Sequence, residues 1–367
     1  MVAPRSILGA LLLASISGAP PNAPRLSSPA PSLVPPPAPV DTSDEHRQRG
    51  VALGLFAEDV GFSYSPLLAE IVALGATHVA LIVPVYQTDA RSDDLHLHTR
   101  FSPTLEVVAD TIRAALRDRL EVSVFPIIRL SAPRPGEWRG TLAPADPERW
   151  FRRYTDVLGD LAAVAAVTGA QRLVIGSELS SLDGDVARWR PLVERMRGLF
   201  KGTLVYSANW DHYRQARLFD LVDEEGITGY FNLRGAADGP ADDAALEATW
   251  RRIKSELSAW RAERKTAAVA AGTATAGASS SFVFTELGYR SRAGATAAPW
   301  DEAPGGIADA DEQRRAFAAF RRVWSGTPFL DGVYIWNWYG YGGPGSRSYT
   351  PRGKPAEVEV KALLKQL

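Results

Sequence analysis

The chain has 367 residues, 46% of them apolar, and its 41 basic and 42 acidic side chains leave a net charge of −1. That is ample material for one large core, and a balance that gives nucleic acid no electrostatic footing as a partner. Cysteine is absent, which excludes a thiol nucleophile, a disulfide framework, thiolate metal sites and lipid attachment through an N-terminal cysteine.

Met1 to Arg5 carry one positive side chain, and Ser6 to Ala19 form an apolar run ending in small residues. This is a signal-peptide pattern, too short to span a membrane, so residues 1–19 are expected to direct the chain to the periplasm or out of the cell. Uncleaved, the same segment would act as a membrane tether. From residue 20 to residue 47 clustered prolines set extended backbone, the mark of an unfolded linker.

Residues 48–367 alternate short apolar runs with longer amphipathic segments. Eight strands are expected: Val51 to Phe56, His78 to Pro84, Glu121 to Arg129, Arg172 to Glu178, Thr203 to Ala208, Gly226 to Phe231, Phe282 to Leu287 and Gly332 to Trp338. A helical pattern follows each of them: Ser65 to Leu74, Thr104 to Arg119, Pro147 to Thr168, Asp185 to Phe200, a short one at Tyr213 to Leu221, Asp242 to Arg264, Asp311 to Trp324 and Pro355 to Leu364. Residues 266–281, almost wholly Ala, Gly, Thr and Ser, read as a flexible insert. Eight such units in series read as an α/β protein of the (β/α)8 barrel class, with a doubly wound open sheet as the alternative.

In a barrel of this kind chemistry collects where strands end, so the polar residues at those ends are the informative ones. The fourth run ends in Gly176-Ser-Glu178 and the seventh in Thr285-Glu286-Leu. These tips lie three strands apart around a ring and so face one another across its mouth. A carboxylate at the end of an apolar run is costly without a purpose or a partner, and two opposed carboxyl groups are the minimum equipment for cleaving a glycosidic bond. Either glutamate alone reads equally well as an ion-pair partner or a helix-start residue.

Trp210, Tyr230, Trp336, Trp338, Tyr339 and Tyr341 gather at the fifth, sixth and eighth tips, where flat rings with a polar edge suit sugars. Trp250, Trp260 and Trp324 fall on helices and are expected in the core. Arg129 and Asn209 add donors able to hold hydroxyls or orient a carboxylate. His96-Leu97-His98 lacks a carboxylate at the spacing of a helical zinc motif and reads as a loop, so neither metal nor cofactor is expected. The glycines of Gly340 to Gly345 are not followed by the Lys-Ser/Thr of a phosphate loop.

The segments Ile175-Gly-Ser-Glu178-Leu, Ser207-Ala-Asn-Trp210-Asp, Phe284-Thr-Glu286-Leu-Gly-Tyr and Trp336-Asn-Trp-Tyr resemble glycoside hydrolase family 113, in order and spacing, over roughly Val51 to the C-terminus. That family belongs to a clan of retaining barrel glycosidases, and its characterised activity is endo-β-mannan hydrolysis. The resemblance implies Glu178 as general acid/base, Glu286 as nucleophile, Tyr230 as a hydrogen-bond donor to the nucleophile and Trp336 as the floor beneath the sugar. It implies a β-1,4-mannan or manno-oligosaccharide substrate and a chain working as a monomer. Ser177 stands where much of the clan has an asparagine that grips the sugar's 2-hydroxyl, which leaves the preference at C2 open.

Overall fold

The structure is a computed structural model that describes residues 47–59, 61–234, 242–272, 281–303 and 305–367. The expected leader, and all of the linker but its last residue, lie outside the described residues. Eight strands are present: β1 (Gln48–Gly54), β2 (His78–Gln87), β3 (Glu121–Leu130), β4 (Arg172–Ser177), β5 (Thr203–Ala208), β6 (Glu224–Thr228), β7 (Ser281–Leu287) and β8 (Gly332–Ile335). Each pairs in parallel with its sequence neighbour, and β8 pairs back onto β1, closing the barrel and excluding an open doubly wound sheet.

Strands alternate with helices: α1 (Ser65–Ala73), α2 (Leu105–Arg117), α3 (Pro147–Thr168), α4 (Val186–Leu199), α5 (Asp243–Ala270), α6 (Ala310–Trp324) and α7 (Ala356–Gln366). Their starts follow capping chemistry. The side chains of Asp146, Asp185, Asp242 and Asp309 each accept a hydrogen bond from a first-turn amide of α3, α4, α5 and α6.

Two expected elements differ. The segment between β5 and β6 winds through short turns into a three-residue 3₁₀ turn, Leu218–Asp220, instead of a helix; it is too short to repay helix nucleation before β6 begins. Helix α5 runs on to Ala270, taking up the first residues of the stretch expected to be a flexible insert. Alanine, the strongest helix former, carries the helix there.

Side chains alternate across each strand, giving two apolar layers. The outer one, between strands and helices, buries Trp250, Trp260 and Trp324 as expected. The inner one stacks Ala52, Ala80, Ile82, Phe125, Val174 and Val205 beneath Tyr230 and Trp336. Its lower end is plugged by polar groups: Gln48 donates to Glu224 at 2.5 Å and Tyr334 donates to Gln48 at 2.8 Å. The C-terminal mouth is where space opens.

Candidate active site

Glu178 is the first residue past β4 and turns with φ of +56°, the left-handed region that non-glycine residues rarely occupy. Its amide donates to the carbonyl of Ser207 at 2.8 Å, which ties the turn to β5. The side chain is buried, and its Oε2 accepts from Nε of Arg139 at 2.9 Å and sits 2.6 Å from Nη2 of the same guanidinium. Arg139 opens a 3₁₀ turn, Arg139–Thr141, in the segment joining β3 to α3.

Glu286 lies within β7 and is 1% exposed. The phenol of Tyr230 donates to its Oε2 at 2.9 Å, and the hydroxyl of Ser177 donates to its Oε1 at 3.3 Å. A Cβ on Gly288 would meet the carbonyl oxygen of Trp336 at 2.7 Å, so glycine lets the ends of β7 and β8 close together above Glu286. The residue next to Glu178 thus touches Glu286, and one constellation holds both carboxyl groups.

Burial raises the pKa of Glu286 and the charge of Glu178 raises it further, while Arg139 and the Tyr230 hydrogen bond pull the other way. Burial opposes the charge on Arg139, but Glu178, Glu286 and Glu302 outweigh it and raise its pKa. The Tyr230 phenol is pushed well above its ordinary value by burial and by Glu286, which keeps it a proton donor to the carboxylate.

A cavity of about 430 Å³ opens at this end, walled by Phe56, Arg129, Trp138, Arg139, Trp336 and Tyr349. A second hollow, bordered by Tyr339 and Tyr341, shares Phe56 and Tyr349 with it. On another part of the rim, Trp210 stacks at 5.0 Å and 21° on Trp300, whose indole is 45% exposed.

Glu178, Glu286, Tyr230 and Trp336 are therefore brought together, with Trp210 on the rim. Trp338 and Asn209 are placed elsewhere, and Arg129 stays in the cavity wall. Trp338 turns outward into the layer between barrel and helices, where Nε1 donates to Glu70 of α1 at 2.9 Å, because the backbone alternation that points Trp336 inward points Trp338 out. Asn209 is consumed locally, donating to Asp211 at 2.6 Å and accepting from Thr228 at 3.4 Å. Arg129 lines the cavity with its guanidinium 5.9 Å from the Phe56 ring and makes no contact with Glu286. The arginine that bonds a carboxylate is Arg139, in a loop where sequence periodicity is silent; the one available signal was an arginine within the loop between two adjacent strands, one of them ending in glutamate.

The family model for glycoside hydrolase family 113 matches residues 63–343. Among solved structures, a family 113 β-mannanase from Alicyclobacillus acidocaldarius is similar at a TM-score of 0.73 and 22% identity, over 89% of this chain and 99% of that one. Another family 113 β-1,4-mannanase is similar at 0.74 and 19% identity, over 88% of this chain and 100% of that one. A β-glucuronidase from Faecalibacterium prausnitzii shares the barrel at 0.57 and 13% identity, over 88% of this chain and 49% of that one. No curated protein sequence matches the chain. With the family model covering most of the barrel that carries this pair, the chain belongs to glycoside hydrolase family 113 and is a glycoside hydrolase.

Proposed function

We propose that the chain hydrolyses β-1,4-linked mannan or manno-oligosaccharides with retention of configuration, using Glu286 as nucleophile and Glu178 as acid/base. The observation that carries this reading is the buried pair of carboxyl groups, with Tyr230 donating to Glu286 from the side and Ser177, next to Glu178, donating to the other oxygen of Glu286. A nucleophilic carboxylate needs its oxygen held in line, and the Tyr230 hydrogen bond does this while offsetting part of the rise that burial imposes on the pKa of Glu286.

In the first half of the cycle Glu178 gives a proton to the glycosidic oxygen as Glu286 attacks the anomeric carbon, and the leaving sugar departs with that proton. In the second half ionised Glu178 takes a proton from water, whose oxygen attacks the anomeric carbon and frees Glu286. Formation of the ester removes the negative charge on Glu286, and the proton given to the leaving sugar leaves Glu178 ready to act as the base. Trp336 on the cavity wall and the Trp210–Trp300 stack on the rim offer flat apolar faces to more than one sugar ring, in keeping with a polymeric substrate. A polymer would have to be met outside the cytoplasm, which agrees with the leader read from the sequence.

Ser177 favours one second reading. Its hydroxyl donates to Glu286, so it is not a free counterpart of the asparagine that reads the 2-hydroxyl, and a β-glycoside of different C2 configuration is the competing substrate. The test is hydrolysis of β-mannan, glucomannan and β-glucan by the wild type, by Glu286→Gln and by Glu178→Ala. Glu286→Gln should lose roughly a thousandfold or more in kcat. Glu178→Ala should retain burst release from aryl glycosides with very good leaving groups, which need no proton. Undiminished turnover by Glu286→Gln would end the assignment, and cleavage of β-glucan without β-mannan would move it to the second sugar.

A further inference from the structure

Arg139 stands between the cavity and Glu178. It is part of the cavity wall, and both of its contacts to the carboxylate fall on one oxygen, Oε2. The other oxygen, Oε1, makes no hydrogen bond among the described residues. A guanidinium fork closed on a single carboxylate oxygen at 2.6 and 2.9 Å is a charge-assisted contact that fixes both the charge and the rotamer of its partner.

Resting on the roles given above to Glu178 and Glu286, we infer that Arg139 is a positioning residue for the pair: it anchors Oε2 of Glu178, leaves Oε1 as the oxygen that exchanges the proton, and sets a positive charge beside both carboxyl groups. The charged groups around the pair come from several elements of the mouth. Arg139 comes from the segment after β3, Glu286 from β7 and Tyr230 from the segment after β6, while Glu302, between β7 and α6, acts on Arg139 and Glu286. Arg129 and Arg290 line the same cavity, and Arg139 is the cation that contacts Glu178. Its charge lowers the proton affinity of Glu286, against the burial and the charge of Glu178 that raise it.

This placement divides the cycle unevenly. The water-activating half uses Glu178 as the guanidinium holds it, aimed through Oε2 with Oε1 free for the proton. Arg139 therefore supports release of the glycosyl group, the half in which Glu178 acts as a carboxylate.

The test is the pH dependence of kcat/KM for Arg139→Met and Arg139→Lys, with the folded state of each followed by near-ultraviolet circular dichroism. Loss of the cation should move the acid limb of the bell-shaped profile, which reports Glu286, to higher pH by about one unit, and Arg139→Lys should return it most of the way. A purely structural role would lower activity at all pH values and leave the limbs in place, and that result would overturn the inference. Titration of glutamate side-chain carboxyl groups by carbon-13 NMR in the full chain gives a reading free of any substrate. There the Glu286 resonance of Arg139→Met should titrate above that of the wild type, and coincident titrations would overturn the inference too. A wild type inactive on every β-mannoside but with the NMR shift present would contradict the proposed substrate and leave Arg139 in its role.

Discussion

Glu286 is buried to 1% exposure beside a second carboxyl group, and a folded protein gains nothing from that arrangement. Its pKa is raised in the folded state, first by burial and then by Glu178, so between the ordinary carboxylate pKa and the raised one the native chain binds a proton that the unfolded chain has lost. Stability must then fall as pH rises through that window, since the unfolded state binds fewer protons there. Glu286→Gln keeps the shape and an acceptor for Tyr230 while removing the charge. It should unfold later than the wild type, by on the order of 1–3 kcal/mol near neutral pH and by little at pH 4. Chemical denaturation at the two pH values measures this; equal stabilities at both would contradict the burial argument. Both glutamates were legible in sequence because strand ends and apolar runs mark them. Arg139 was not, because the contact that matters links the loop after β3 to the end of β4, and linear spacing carries no record of it.

Among the elements, β8 and its continuation show what alternation decides. Trp336 faces the barrel interior and Trp338 the helices, although both were read as sugar platforms. Glu70 of α1 receives the Trp338 Nε1 hydrogen bond and pairs with Arg352 from the loop before α7, so this site fastens the last strand to the first helix. Trp338→Phe should cost about 1–2 kcal/mol of stability, from the lost hydrogen bond and the smaller ring. KM and kcat of the folded enzyme should stay unchanged. A raised KM with unchanged stability would return Trp338 to the binding surface. The eight strands were readable because each is a short apolar run between polar punctuation. The missing helix before β6 and the extension of α5 were not, since tertiary room limits the first and alanine propensity, in a stretch that also reads as low complexity, drives the second.

At the scale of the whole molecule, closing eight parallel strands converts separate loop residues into one site. Arg139, Glu178, Tyr230, Glu286 and Trp336 come from the ends of five strands or the segments after them and meet because the barrel has a single mouth. The order of strands made opposition of β4 and β7 predictable, and with it the pair. What order could not provide was the charge arrangement inside the mouth, where the Arg139 guanidinium meets Glu178 and feels Glu286 and Glu302. The central claim, a double displacement through Glu286, is tested most directly by following the anomeric proton of the first-formed sugar by NMR during hydrolysis of a β-manno-oligosaccharide. The account predicts that the β-anomer appears first and mutarotates afterwards. Initial release of the α-anomer would contradict it.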